Sequence, residues 1–428
     1  MKNFIIVKKY FCIIMATVML FASLCPCVSF AAFNKNKANT IAAGTTLDNI
    51  KAKSYALAHL DSKNGIVMQS ENADEHFTVG NLVKLMTLYL AFESIDSGKT
   101  TLKSAVKVSK KAQQISNGRA RVFLDAGKGE IITVEDAILA ISINGANDAC
   151  YALAEHLSGA DEAAFVKMMN AKAAELGLTN TNYLDSTGIL IIDDGQYSSA
   201  RDVCKLSLEL VRKYPQVTEY TKQDTQMFHH TSTGQPDTQM ITSNFLATMN
   251  ICKGADGLIC GYSNKDLYAQ AGTAIVDGER TVAVVIGEKT AEERAGELKF
   301  LLNYGMTNFN MKNVVSKDTY VRMVKIKNGK SMKIKSCTGS SFEYLDNVSE
   351  KAVVEPTIKI DAEIKAPIEK GQVLGQITYF KKYKDANDEE IQEEIGSIDL
   401  VAAESMDKCN WFTRLVRKIL NLFGLGDY

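Results

Sequence analysis

Two spacings of apolar residues divide this 428-residue chain. Over residues 53–310 apolar positions recur mainly at helical intervals, interrupted by short extended runs; from 314 to 402 they alternate with polar residues. The change of period predicts a mixed α/β domain followed by a smaller all-β domain. In the first region, text on both sides of Asn64-Gly65 reads as a hairpin, and residues 82–97 read as a helix stopped by Gly98. Residues 131–134 look extended. VEDAILAISINGANDACYALAEHLSG then gives two helical patterns around a polar break at 144–148. A further helix closes at Gly177, another opens at Ser198 or Ser199, residues 251–263 are strand-like, and a hairpin turns at Asp277-Gly278 before a helix over 292–304. In the second region, YVRMVKIKNGKSMKIKS pairs two strands about Asn328-Gly329, and PTIKIDAEIKAPI continues with period two. The acidic stretch DANDEEIQEE, from Asp385, reads as a solvated loop.

The ends carry a different texture. Residues 1–31 hold Lys2, Lys8 and Lys9, then an apolar run over 11–24, then Ser29-Phe30-Ala31; this predicts a secretory signal peptide, with 32–52 as a polar linker. The run is short for a retained membrane span. Residues 408–425 place Trp411, Phe412, Leu415, Val416, Ile419, Leu422 and Phe423 on one helical face, with Arg414, Arg417 and Lys418 on the other. Such a basic amphipathic helix suits the headgroup region of a membrane surface; docking on the protein itself is the other reading.

Composition narrows the chemistry. Forty-nine basic and fifty acidic residues nearly cancel, so no nucleic-acid partner is implied. Six cysteines lie beyond the leader (Cys150, Cys204, Cys252, Cys260, Cys337 and Cys409), without the spacing of a disulfide framework or a zinc site. The histidines make no H-E-x-x-H pattern, and the neighbours His229 and His230 would point apart on a strand. No metal or other cofactor is implied.

The informative stretch is VGNLVKLMT, residues 79–87. It lies where a polar loop becomes a helix, which makes Asn81 a cap or first-turn residue with Lys84 one turn on, on the same face. A hydroxyl at 81 would give the nucleophile and neighbouring lysine of an acyl-transfer enzyme. An amide stands there instead. The stretch resembles the Pro-Ala-Ser-x-Thr-Lys-Leu-Met-Thr segment of the D-alanyl-D-alanine carboxypeptidases, the low-molecular-mass penicillin-binding proteins. INGANDA resembles their Ser-Gly-Asn-Asp-Ala, with Gly145 at the serine and Asn147 retained. DGLICG resembles Asp-Gly-Leu-Lys-Thr-Gly, with Ile259 and Cys260 at the lysine and threonine and Gly261 retained. Residues around 366–380 resemble the small C-terminal domain of the same proteins.

The resemblance implies a beta-lactamase-like α/β domain, a small β domain and a membrane-surface helix. It also implies an extracytoplasmic place at the outer face of the membrane or in the cell wall, with peptidoglycan stem peptides or wall proteins as partners. An intact member acylates its serine. Here three motif positions depart together, leaving Lys84 to be satisfied by Asn81 or Asn147, so a catalytically silent, binding or scaffolding relative is expected. Two alternatives stay open: an active carboxypeptidase using an unrecognised nucleophile, Cys260 among the candidates, and a chain in which the β domain alone acts as spacer or binding module.

Overall fold

The computed structural model describes residues 47, 50–60, 67–115, 120–159, 161–189, 195–248, 251–384 and 388–422. The expected signal peptide, most of the linker and the Asn64-Gly65 turn lie outside the described residues. Along the chain come β1 (Ser54–His59), β2 (Val67–Glu71), α1 (Lys84–Asp96), β3 (Ala105–Lys107), α2 (Lys110–Gln114) and β4 (Ile131–Thr133). Next are α3 (Val134–Asn144), α4 (Asn147–Ser158), α5 (Glu162–Glu175), α6 (Ala200–Lys213) and α7 (Val217–Thr221). The short strands β5 (Thr225–Phe228) and β6 (Thr238–Ile241) and the turn of helix α8 (Phe245–Thr248) lead to β7 (Ala255–Ser263), β8 (Leu267–Val276), β9 (Glu279–Glu288) and α9 (Ala291–Asn308).

The first sheet runs β2-β1-β9-β8-β7, so the first strands of the chain sit beside strands more than two hundred residues later. Both its faces are covered. Ala56, Ala58, Val282 and Val284 face the cluster built on α1, α3, α4 and α6. Their neighbours Tyr55, Leu57, Ala283 and Val285 face Leu298, Leu301 and Leu302 of α9. Burial on both sides explains why VAVVIG is an unbroken apolar run and not an alternating one. The β8–β9 hairpin turns at Asp277 and Gly278, whose φ values of 53° and 88° fit the two left-handed positions of a type I′ turn.

Helix α9 passes directly into β10 (Phe309–Val315), which pairs with β13 (Phe342–Asn347). With β11 (Tyr320–Lys325) and β12 (Lys333–Thr338) before β13, and β14 (Val353–Ile360), β15 (Val373–Lys384) and β16 (Glu390–Ala402) after it, the strands form a second sheet in the order β11-β12-β16-β15-β14. Its core holds Val324, Ile334, Phe342, Leu374, Ile377 and Leu400. The acidic stretch is not mainly a loop: from Glu390 onward it is strand β16. Glu390 and Glu393 stand opposite Lys384 and Lys381 of β15, so charge pairing across the ladder offsets the repulsion that suggested a solvated segment.

The chain's last described element is α10 (Trp411–Leu422). Trp411 and Phe412 are 74% and 60% exposed, and Leu415, Val416 and Ile419 are exposed beside them. Arg417 donates to the carbonyls of Gly329 (2.8 Å) and Lys330 (3.2 Å), tying the helix to the β11–β12 connection. Among the described residues no helix is long and apolar enough to cross a membrane.

Candidate functional site

A 3-10 turn, Gly80–Val83, delivers the chain into α1. It is pressed between two other backbones. At Gly80 (φ +53°) a Cβ would fall on the carbonyl of Tyr262, and at Gly188 (φ +79°) it would fall on the carbonyl of Gly80. Gly261 meets the turn from the β7 side, against the carbonyl of Val79. The turn, the 185–188 loop and β7 are therefore locked at backbone contact, and the side chain of residue 81 is aimed by all three.

Lys84, the first residue of α1, is fully buried. Its ammonium donates to Asn81 Oδ1 at 3.0 Å and to the Thr187 carbonyl at 2.5 Å. Burial lowers its pKa from the usual 10.5 to about 8, countered in part by Cys150 and Asp185 nearby. Asp185 builds the loop that offers the Thr187 carbonyl: its carboxylate accepts from Thr187 N (2.6 Å), Thr187 Oγ1 (2.8 Å), Gly188 N and Gln196 Nε2 (2.9 Å). Behind the lysine, Cys150 donates to the Ser186 carbonyl at 3.1 Å, and burial pushes its thiol up to about 12, keeping it protonated.

The polar break resolves into two residues between helices. Thr133 and Asp136 form a capping box at the start of α3, and Gly145 (φ +62°) ends it in the left-handed conformation. A Cβ on Gly145 would stand 3.6 Å from Asn81 Nδ2, so the missing side chain is one that would have touched residue 81. Asn147 opens α4 and is buried; its N–H donates to the Ala120 carbonyl at 2.7 Å, while its Oδ1 has no partner among the described residues.

On the edge strand β7, Ile259 is buried and Cys260 partly exposed, its thiol donating to the Ser243 carbonyl at 3.4 Å. A cleft of about 200 Å³ opens between β7, α3 and the 241–244 segment. It gathers Asn81, Gly145, Ile259 and Cys260 from the sequence-predicted set. Lys84 reaches it through Asn81; Asn147 and Gly261 are not on its lining.

Sequence reasoning missed four contributors. Ser142, one turn before Gly145, lines the cleft with a buried hydroxyl that has no partner among the described residues. Asn244, also on the lining, accepts from the buried Gln270 Nε2 at 2.8 Å. Asp185 and Thr187 support Lys84 from about a hundred residues away, and the turn-rich DSTG was their only local signal. The two adjacent histidines diverge, though just beyond strand β5 and not on it: His230 is buried against Glu130 at 2.6 Å, while His229 is exposed against Asp237 at 2.7 Å. Among the described residues no group of three or more His, Cys, Asp or Glu could hold a metal ion.

Residues 39–290 match the family described as D-alanyl-D-alanine carboxypeptidase, and residues 309–408 match the penicillin-binding protein 5 C-terminal domain. D-alanyl-D-alanine carboxypeptidase DacF of Bacillus subtilis is 32% identical, over 86% of this chain and 89% of its own length. The DacA enzyme of Escherichia coli is 27% identical over 87% of this chain and 88% of its own. The crystal structure of penicillin-binding protein 5 from Haemophilus influenzae is similar with a TM-score of 0.68 at 25% identity, covering 85% of this chain and all of that one. On a family match that spans more than half of its length, supported by the fold, the chain belongs to the D-alanyl-D-alanine carboxypeptidase family of cell-wall metabolism, with a penicillin-binding-protein-5-type C-terminal β domain.

Proposed function

We propose that this chain is a non-hydrolysing member of its family, which binds peptidoglycan stem peptides or cell-wall proteins at the outer face of the cytoplasmic membrane. The observation that carries the reading is the Asn81–Lys84 contact. Where an acyl-transfer enzyme presents a hydroxyl to its lysine, this chain presents a carboxamide oxygen that accepts a 3.0 Å hydrogen bond. An amide has no proton to yield usefully and no lone pair free to form a stable ester. Loss of a nucleophile in comparable enzymes costs on the order of a millionfold in turnover. Gly145 offers no hydroxyl for a proton relay, and Ile259 offers no cation to a substrate carboxylate. The cleft nevertheless remains, with amide and hydroxyl groups on its lining suited to hydrogen-bonding a peptide. Secretion through the leader and attachment through α10 supply the location.

A second reading rests on Cys260, a partly exposed thiol on the same cleft: a carboxypeptidase that uses sulfur in place of oxygen. One experiment separates the two. The purified chain and its Asn81→Ser variant are incubated with a fluorescent penicillin, resolved by denaturing electrophoresis, and any labelled peptide is identified by mass. The silent reading expects the native protein to stay dark and Asn81→Ser to acquire label at residue 81. Covalent label on the native protein sinks it, and a label on Cys260 establishes the thiol reading. If Asn81→Ser also stays dark, the cleft no longer accepts the ligand and scaffolding alone remains.

A further inference from the structure

A second cavity, larger than this cleft, lies in the β-rich C-terminal domain. It is a groove of about 830 Å³ between the β11–β12 hairpin, the 360–364 segment and α10. Six cationic and two acidic side chains line it. One of the acidic pair is already neutralised, since Glu363 pairs with Lys327 at 3.0 Å and with Lys365 at 2.9 Å. Four cations of the lining, Arg322, Lys325, Lys333 and Arg414, make no ion pair among the described residues. Lys325 and Lys333 stand directly opposite each other across the antiparallel ladder, both exposed. Like charges so placed repel, and neither lysine has an acidic side chain paired to it among the described residues. The lining also includes the apolar side chains of Met323, Ile326 and Ile364.

We infer that this groove is a binding site for the headgroup of an anionic phospholipid, so that the β domain reads the charge of the membrane while α10 supplies the apolar contact. This rests on the membrane attachment proposed above. Three features favour a lipid over a free anion. The groove is far larger than a phosphate needs and has room for glycerol as well. Its lining includes Met323, Ile326, Met332, Ile360 and Ile364, where a purely ionic site would be polar. It is also continuous with α10, which contributes Arg414 and Arg417 to the lining and carries the exposed Trp411, Phe412, Leu415, Val416 and Ile419. Arg417 fixes the helix beside the hairpin through the Gly329 and Lys330 carbonyls, and Lys330 pairs with Asp407 at 2.7 Å, so cationic groove and apolar face are presented together.

The test is co-sedimentation of the full chain with vesicles of phosphatidylcholine alone and of phosphatidylcholine with one third phosphatidylglycerol. The native protein should prefer the anionic vesicles. Lys325→Glu with Lys333→Glu should weaken binding to them by roughly thirtyfold or more, at about fivefold per cation, while binding to neutral vesicles is unchanged. Trp411→Ala with Phe412→Ala should weaken both. The same charge change on the first domain, Lys103→Glu with Lys110→Glu, should leave binding as it was. The inference is overturned if the hairpin variant keeps its preference for anionic vesicles, if the first-domain variant loses as much, or if millimolar inorganic phosphate displaces the protein at constant ionic strength. A native protein that ignores both vesicles overturns the membrane attachment itself. One that binds neutral and anionic vesicles equally overturns only the charge-reading groove. Circular dichroism checks that each variant is folded.

Discussion

Lys84 makes a prediction that can be worked through from its surroundings. The amine is fully buried, and burial brings its pKa from 10.5 down to about 8. Below pH 8 it is protonated in the folded and the unfolded chain alike, and folding bears the whole cost of hiding the charge. As pH rises from 8 to 10.5 the folded state sheds the proton while the unfolded chain retains it, so the cost is progressively relieved and stability rises. At 1.36 kcal/mol per pH unit the relief totals about 3 kcal/mol. Lys84→Met removes the titration. It also removes the hydrogen bonds to Asn81 and to the Thr187 carbonyl, at about 1–3 kcal/mol for the buried acceptor left without a donor. At pH 7 the two effects oppose, and the variant should lie within about 2 kcal/mol of the native protein. The diagnostic quantity is the difference between the two proteins as a function of pH. Urea unfolding followed by circular dichroism should show the native protein gaining about 3 kcal/mol on Lys84→Met between pH 7.5 and 10.5. Cys204, whose thiol burial pushes up to about 12, acts in the opposite sense above pH 9 in both proteins and cancels in the difference; Cys150 feels the Lys84 charge and would not cancel, so both proteins carry Cys150→Ala. A difference that stays flat within about 0.5 kcal/mol would refute the reasoning, because it would mean that water or a counter-charge reaches the amine.

Gly188→Ala should destabilise the chain by at least about 3 kcal/mol in urea unfolding, since the new methyl meets the Gly80 carbonyl at a positive φ and neither backbone can retreat. Glu130→Ala should cost about 3–5 kcal/mol in the same assay: it strips His230 of a fully buried partner and leaves the Asp125 N–H without its 2.6 Å acceptor. Ile259→Lys should tighten binding of an acyl-Lys-D-Ala-D-Ala peptide about tenfold by calorimetry, through one charge-assisted hydrogen bond to the terminal carboxylate, and should leave the corresponding C-terminal amide unaffected.

The parts of this structure that local chemistry dictates could be read from the residues. Asn81 and Lys84 are three positions apart at a helix entry, and they are found in hydrogen-bonding contact. Ser199 caps α6, and Asp277-Gly278 and Asn328-Gly329 lie between paired strands. What could not be read is what depends on partners far along the chain. The Asn64-Gly65 signal pairs β1 with β2, but nothing near β1 says that β9 will lie on its other side, because an apolar pattern specifies a face and not a neighbour. The run of glutamates from 389 suggests repulsion until the lysines of β15 are placed opposite it. Of the two residues left open as partners of Lys84, Asn81 reaches its ammonium, and the second acceptor is a main-chain carbonyl, at Thr187, which has no side-chain signature at all.

The cleft keeps its mechanical parts while its reactive parts differ. Gly80, Gly188 and Gly261 each stand where a side chain would collide with another strand or turn, so together they hold residue 81 at the mouth of the cleft whatever its chemistry. Lys84 remains beneath it at an electrostatic cost of about 3 kcal/mol at neutral pH, a large share of the 5–15 kcal/mol by which domains of ordinary size are stable. Inside the cleft the lining is uncharged among the described residues. An acyl-transfer site needs a nucleophile, a relay and an anchoring cation, and the carboxamide of Asn81, the bare Gly145 and the aliphatic Ile259 supply none of them. Hydrogen bonding to an extended peptide needs only donors and acceptors held in fixed positions, and the amides of Asn81 and Asn244 with the hydroxyl of Ser142 provide those. The geometry therefore suits recognition, and under the proposed reading the covalent step is the one left out.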